Sequence, residues 1–348
     1  AYTLRFQGRG YDESETAREF GSHIGLEVAE VSAGLDDLAE MWFLWKETID
    51  EPFADSAVLA EMLLARAASK ETRVVLTGDG GDEGFLGYQH IPAHYLVENR
   101  FGRTLARVLT STFSQVWSQK SKDVEDKYFS PAFVLDRLGR GLKQEGLVSR
   151  DLAWRSAHSP EAGAQLLGEN YSSVRQSVTD QVASSSSQDT HWTTEWSLSY
   201  AELYLRDIIF RKVDRGTMRF GVEARSPLMD HRVFSLALAL PPGQKVGWKN
   251  RKLPLRRLLA EIEPTWSAKS QKHGMGLPLV SLFQGPLASE LKNLLDPDWL
   301  RTLGLSGLAV EAVKTEFSRR PALFAREVFS LLTFSAFARR FYPKGLTL

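Results

Sequence analysis

The chain contains no cysteine. That excludes disulfides, thiolate metal sites and a cysteine nucleophile within these residues, and it fits a reducing compartment such as the cytoplasm. Neither sign of charge is in excess: 43 Lys and Arg stand against 43 Asp and Glu. No net field therefore draws the chain to nucleic acid or to an anionic membrane. No apolar run approaches the roughly 20 residues that a membrane span needs. The opening residues, AYTLRFQGRGYDES, lack a signal-peptide apolar region and an initiator Met. They begin inside a strand pattern, so the N-terminus is expected to be a truncation or processing point. No Gly-Lys-Ser/Thr follows a glycine loop, and no Gly-x-Ser-x-Gly elbow occurs. The histidines lack metal-ligand spacing except His90 and His94, and Pro92 between them argues against a shared helix face.

What is present is enough apolar residue for a real core: 43% of 348 residues. Strand and helix patterns alternate through residues 1–95. A short strand at Tyr2 to Phe6 precedes a helix that Asp12 and Glu15 open in the manner of a capping box. The helix runs to about His23, and a strand follows from Leu26 to Val31. A helix is expected over Leu35 to Thr48, with Leu38, Met41 and Trp45 on one face. Asp55 or Ser56 can cap another over Ala57 to Ala68. Then RVVLTG, a β-branched strand, enters a Gly-rich turn at 78–81. This order predicts an α/β fold: a parallel sheet with crossover helices, whose ligands sit beyond the carboxyl ends of the strands. Residues 96–200 read as a variable helical insertion, with VASSSSQDTHW at 182–192 as a loop. Residues 201–348 read as a mostly helical C-terminal part packed on the same module, beginning with a helix through Leu205, Ile209 and Val213.

Four segments carry chemistry. The first is Thr77-Gly78-Asp79-Gly80-Gly81-Asp82-Glu83, then Gly87-Tyr88. Its glycines let backbone N–H groups approach an anion closely. Asp79 and Asp82 would repel a phosphate unless Mg²⁺ sits between, so the pattern points to a nucleotide or pyrophosphate with Mg²⁺. It equally suits an acidic turn that closes a strand. The second segment runs from Lys212 to His231 and includes Asp214, Arg215, Glu223, Arg225 and Asp230. Eight of its twenty residues are charged or His. On an apolar segment such charges must be paired, so an ion-pair network locking a helix to a loop is the expectation. The third is the basic cluster of Lys245, Lys249, Arg251, Lys252, Arg256 and Arg257, either a solvated helix face or a counter-charge for a transferring group. The fourth, KHGMGLP at 272–278, is a turn signal with one Lys.

Taken in order, these segments resemble the synthetase (ATP-pyrophosphatase) domain of the asparagine synthetase (glutamine-hydrolysing) family. VVLTGDGGDEGFLGY is similar to that family's Ser/Thr-Gly-Asp/Glu-Gly-x-Asp-Glu-x-x-x-Gly-Tyr motif. YDESETAREFGSHIGLEVAEV, DEPFADSA, KVDRGTMRFGVEARSPLMDHRV, RKLPLRRLL and KHGMGLP resemble five further blocks. The Asp-Gly-Gly-Asp-Glu variant looks most like members associated with bacterial surface-polysaccharide gene sets. The resemblance implies an adenine nucleotide alpha-hydrolase-like, Rossmann-like fold. It also implies ATP as substrate, Mg²⁺, adenylation of a carboxylate (aspartate in the type case), and attack by ammonia that a glutaminase domain releases from glutamine. By motif match Thr77, Gly78, Asp79 and Gly80 would bind ATP and Phe6 would lie near adenine. Asp79 and Lys252 would act in catalysis and Asp82 would hold Mg²⁺. Lys212, Asp214, Arg215, Glu223, Arg225 and Asp230 would form a structural or substrate-side network. A homodimer is compatible with the family.

The departures are as informative. The family's phosphate loop, Ser-Gly-Gly-x-Asp-Ser, does not occur in residues 1–348, nor does a glutaminase domain. Both are expected upstream, and this chain alone is expected to be inactive. Two other readings remain. One keeps the fold and changes the acceptor, to a β-lactam-synthetase-like cyclase or an amidation of a sugar acid. The other is a non-catalytic remnant or binding protein.

Overall fold

A computed structural model describes residues 1–6, 12–98, 131–183, 190–247, 250–267 and 276–346. The loop expected within 182–192, Lys249 and most of KHGMGLP lie outside the described residues or at their borders.

Strand β1 (Tyr2–Phe6), helix α1 (Ser14–His23) and strand β2 (Ala29–Ala33) form a parallel unit in which Leu4 pairs with Val31. The Asp12 carboxylate accepts from the Ser14 N–H at 3.0 Å, a local turn, but the N-cap of α1 is Glu13 without a side-chain cap rather than the expected capping box of Asp12 and Glu15. Helices α2 (Leu35–Thr48) and α3 (Ala57–Ala68) hold the expected bounds. Asp55 accepts from the Ala57 N–H at 3.0 Å and starts α3. Strand β3 (Val74–Leu76) then leads through the Gly-rich turn into α4 (Gly81–Phe85) and α5 (Ile91–Glu98).

The helical middle comprises α6 (Pro131–Leu142), α7 (Leu147–Arg155), α8 (Pro160–Leu167) and α9 (Asn170–Ala183). A long helix follows. It begins as α10 (Trp192–Ser199), widens into a π-helical stretch over Tyr200–Ile209, and continues as α11 (Phe210–Met218). Strand β4 (Glu223–Arg225) returns beside β3 in parallel, with Val75 opposite Ala224. A 3-10 turn at Pro227–Met229 leads into α12 (His231–Ala239). The remainder is α13 (Pro242–Lys245), α14 (Leu253–Ile262), α15 (Pro264–Ser267), α16 (Leu279–Gln284), α17 (Ala288–Leu294), α18 (Pro297–Arg301), α19 (Gly307–Arg319) and α20 (Pro321–Phe341).

The parallel pairing with helical crossovers agrees with an α/β reading, and the bulk of the chain is helical. The strands do not, however, join into one sheet. Among the described residues they form two two-stranded sheets, β1 with β2 and β3 with β4. Each strand thus has an unpaired edge, and on β3 Val74 is 39% and Leu76 73% exposed.

One core cluster joins the two ends of the chain. Leu4, Trp42, Leu59 and Met62 from the first unit pack with Phe283, Val310, Phe329 and Leu332 from the last helices. At 21 residues, α20 is long and apolar enough to cross a membrane by length and composition, although the primary sequence suggested no such run. Its residues Val328, Phe329 and Leu332 are instead core, and Arg326, Glu327, Arg339 and Arg340 interrupt its apolar surface.

Candidate active site

The Gly-rich segment sits where β3 ends. The Thr77 N–H donates to the Arg225 carbonyl at 2.8 Å, which extends the β3–β4 pairing by one residue. The Thr77 hydroxyl then donates to Asp79 Oδ2 at 2.6 Å. The Ser226 hydroxyl donates to the Asp79 carbonyl at 2.5 Å, tying the turn to the segment after β4. Gly80 has φ +82°, and a Cβ there would fall 2.1 Å from Met229 Sδ. Both the left-handed backbone and the close approach require glycine at that position.

Asp82 lies in the first turn of α4, and its Oδ1 is 2.6 Å from Lys252 Nζ. This contact unites the first and third sequence signals. Lys252 itself has φ +53°, a left-handed conformation rare for a residue with a side chain, and it immediately precedes α14. Leu86, which ends α4, has φ 57°. Gly87 leaves room for the pair: a Cβ there would fall 1.8 Å from Asp82 Oδ1 and 2.0 Å from Lys252 Cε. Arg251 adds a bond from Nη1 to the Gly87 carbonyl at 3.3 Å. The donors Thr77, Asp79 and Asp82 are all oxygen, the ligand type that Mg²⁺ prefers. The carboxylate expected to hold the metal already has a cation against it, so the residues fit a cationic partner at Asp82.

Behind the turn, Glu83 is buried and accepts from the Tyr88 hydroxyl at 2.5 Å. Burial raises the Glu83 carboxyl above its usual range, with Tyr88 opposing and Asp82 adding to the rise. Ser197 of α10 donates to the Glu83 carbonyl at 2.9 Å. Lys245 is fully buried, its Nζ has no hydrogen-bond partner among the described residues, and burial pushes it down to about 8.

The other predicted residues lie apart. Phe6 is buried at the end of β1 inside the main core cluster. Lys212 is buried beside Glu61 Oε1 at 3.0 Å and Asp55 Oδ2 at 3.5 Å, so it locks α11 to α3. Burial drives Glu61 up to about 7 against the pull of Lys212, whereas the two carboxylates hold the Lys212 ammonium well above its ordinary value despite burial. Asp214 and Arg215 line an open hollow of about 610 Å³ with Asp50, Glu51, Phe210 and Arg211. There Arg215 pairs with Asp50 at 2.6 Å. Glu223 pairs with Arg225 at 2.9 Å and Asp230 with Arg232 at 2.9 Å, each a local and exposed contact. The charged segment is therefore not one buried network. Within Lys212 to His231, among the described residues, only Lys212 is buried in an ion pair, because α11 is amphipathic and turns its other charges outward.

The largest departure concerns His90 and His94. Pro92 falls in the first turn of α5, where a missing N–H breaks no helical bond. The His94 N–H donates to the His90 carbonyl at 3.3 Å, and both rings reach Asp151. The two histidines do share a face, contrary to the expectation from Pro92. Ser226 and Asp151 were missed, since neither carries a spacing signal and each reaches its partner through tertiary folding, whereas Arg251 was expected as part of the basic cluster and is placed beside Gly87.

The asparagine synthase family profile matches residues 1–339. The chain belongs to the asparagine synthase family. A Mycobacterium tuberculosis protein provisionally named asparagine synthetase (glutamine-hydrolyzing) is 29% identical over 287 residues, covering 80% of this chain and 41% of that protein. Asparagine synthetase (glutamine-hydrolyzing) 1 of Bacillus subtilis is 23% identical over 300 residues, covering 84% of this chain and 45% of its own length. The amidase chyE of Penicillium rubens is 23% identical over 370 residues, covering 99% of this chain and 53% of its own. The chain thus spans about half the length of the relatives it matches. The contact between Asp82 and Lys252 brings the Gly-rich segment and the basic cluster to a common location.

Proposed function

We propose that this chain is the synthetase portion of an ATP-dependent amide-forming ligase that uses ammonia derived from glutamine. The contact between Asp82 and Lys252 at 2.6 Å carries the reading, because it brings a carboxylate and a fixed ammonium to the end of a parallel strand, where phosphates bind in such folds. A carboxylate of the acceptor attacks the α-phosphate of ATP, the bond to pyrophosphate breaks, and an acyl-adenylate forms. Ammonia then attacks the acyl carbon, AMP leaves, and the surplus proton passes to a base. Thr77, Gly78 and Gly80 offer the turn against which the nucleotide rests. Lys252 neutralises the charge that grows on the α-phosphate oxygens. Asp82, with Asp79 nearby, would hold Mg²⁺, which screens the phosphates when bound. Lys252 is also the counter-charge of Asp82.

Aspartate is the acceptor of the type case, and a sugar acid or a cyclising substrate is the alternative. Cyclising relatives use a Tyr–Glu pair near the intermediate. Tyr88 and Glu83 do pair, but both belong to the general family motif, so the pair does not favour cyclisation. The glutaminase domain, and the phosphate loop that would cradle pyrophosphate, are proposed to come from polypeptide outside these 348 residues, which span about half the length of the relatives.

The test is acid-dependent exchange of labelled pyrophosphate into ATP by the polypeptide extended upstream through the phosphate loop. Lys252→Met should lower the rate by roughly 100- to 1,000-fold, the usual cost of one charge-stabilising donor. Unchanged exchange in that variant would remove Lys252 from the chemistry and with it this reading.

A further inference from the structure

The cluster behind the Gly-rich turn is a candidate for a second kind of chemistry. His90 Nε2 and His94 Nε2 each lie 3.2 Å from Asp151 Oδ1. The Tyr200 hydroxyl lies 2.9 Å from His90 Nε2 and 3.2 Å from Asp151 Oδ1. All three His and Asp ligand atoms fall within 4.8 Å of one another. We propose that His90, His94 and Asp151 form a zinc-class divalent metal site, with the Tyr200 oxygen at its fourth corner.

Distance separates this from an ordinary hydrogen-bonded cluster. An N–H donor on a carboxylate usually closes to about 2.7–2.9 Å. Both imidazoles stand off at 3.2 Å. Ligand atoms about 2.0 Å from a tetrahedral ion are separated by roughly 3.3 Å, the edge of the tetrahedron. Donor number points the same way. His90, His94, Tyr200 and Trp196 all converge on Asp151 Oδ1, the last from Nε1 at 3.0 Å. One carboxylate oxygen has too few lone pairs for four full donors, whereas imidazoles that present lone pairs to a cation relieve the excess.

The surroundings also suit a metal. Arg155 Nε holds Asp151 Oδ2 at 2.5 Å, so the carboxylate offers a single oxygen to the histidines. Such an outer partner fixes a ligand's orientation. Trp154 packs edge-on against the His94 ring at 4.3 Å, and Trp196 stacks on Tyr200 at 3.7 Å, which restricts both side chains. Two imidazoles and one carboxylate suit Zn²⁺, Co²⁺ or Ni²⁺ rather than Mg²⁺. The ligands come from the start of α5, from α7 and from the π-helical stretch. A bound ion would therefore clamp the helical middle to the segment that follows the Gly-rich turn. Tyr88, the partner of Glu83, stacks on His90 at 5.6 Å, so the clamp would abut the candidate active site without entering it.

The test needs no enzymatic activity, so it stands apart from the proposed function. The tag-free 348-residue chain is stripped with a chelator and titrated with Co²⁺. One equivalent should bind with the intense visible absorption of a four-coordinate ion, and Zn²⁺ should displace it. Zn²⁺ should also raise Tm by a few degrees. His90→Gln and His94→Gln should each weaken Co²⁺ at least tenfold, with helical circular dichroism as the check on folding. X-ray absorption of the wild-type Zn²⁺ complex serves if either variant fails to fold, and two imidazoles in a nitrogen and oxygen shell are expected. Absence of stoichiometric binding, unchanged affinity in both folded variants, or fewer than two imidazoles in the shell would each overturn the site.

Discussion

At the scale of single residues, Gly87 is a sensitive test of the site's geometry. It has neither a reactive group nor a strained φ, yet the Asp82–Lys252 pair occupies the space where its Cβ would be. Gly87→Ala should force that pair apart and destabilise the chain by about 1–3 kcal/mol, as overpacking does. Urea denaturation measures the loss, and a change below 0.5 kcal/mol would mean that the pair is easily rearranged. His158 supplies a pH test remote from the turn. Burial, with Arg140 and Arg137 nearby, pushes it down to about 4. Its ordinary value near 6.5 applies to the unfolded chain. The unfolded state thus binds more protons between pH 6.5 and 4, and His158 makes stability fall as pH falls through that window. The contribution is on the order of 3 kcal/mol. Glu61, raised to about 7, acts in the opposite direction, so the informative quantity is the difference from a variant. His158→Gln should flatten the acid side of the stability curve between pH 6.5 and 4. Parallel curves for the two proteins would contradict the assigned burial cost. The turn chemistry at residues 77–83 was legible in the sequence because glycine and Asp announce it locally. Its tie to the segment after β4 was not, since the Ser226 bond to the Asp79 carbonyl depends on how distant segments meet.

At the scale of elements, α2 and α3 could be read to their ends because their apolar period and their flanking residues agree. Strand β2 starts at Ala29 rather than Leu26, since Gly25 has φ +71° and the turn after α1 consumes the intervening residues. The π-helical stretch leaves no sequence mark, as it is a matter of hydrogen-bond register rather than composition. Two elements make opposed predictions. Leu332 on α20 is fully buried in the main core, so Leu332→Ala should cost about 2–5 kcal/mol in urea denaturation. A cost under 1 kcal/mol would be the mark of a helix outside the core. Leu76 on β3 is 73% exposed beside an open edge. In this chain Leu76→Thr should shift stability by less than about 0.5 kcal/mol. A loss above about 1 kcal/mol in urea denaturation, within the range for trimming a buried apolar side chain, would mean that this edge is covered.

At the scale of the whole molecule, the core and the chemistry divide differently along the chain. The core is closed by the two ends: β1, α2 and α3 pack against the helices that follow residue 277. This interior is substantial and does not draw on the Gly-rich turn, so folding and site chemistry can be tested separately. The site, in contrast, presents a carboxylate, a lysine and a glycine turn, which suit an α-phosphate and a cation. Nothing in residues 1–348 matches the family's Ser-Gly-Gly-x-Asp-Ser loop that would take the pyrophosphate. Backbone donors aimed at developing charge typically contribute a factor of 100 to 1,000 each, and that loop would supply several. The 348-residue chain should therefore fold cooperatively yet release pyrophosphate from ATP at no more than about one-thousandth of the rate of a polypeptide that also carries the phosphate loop. Paired measurements decide it: a single sharp thermal transition for the chain, and pyrophosphate release for both lengths with the acceptor acid present. Acid-dependent release by the chain alone at a comparable rate would show that Asp79, Asp82 and Lys252 suffice, and that the phosphate loop is not the missing half of this site.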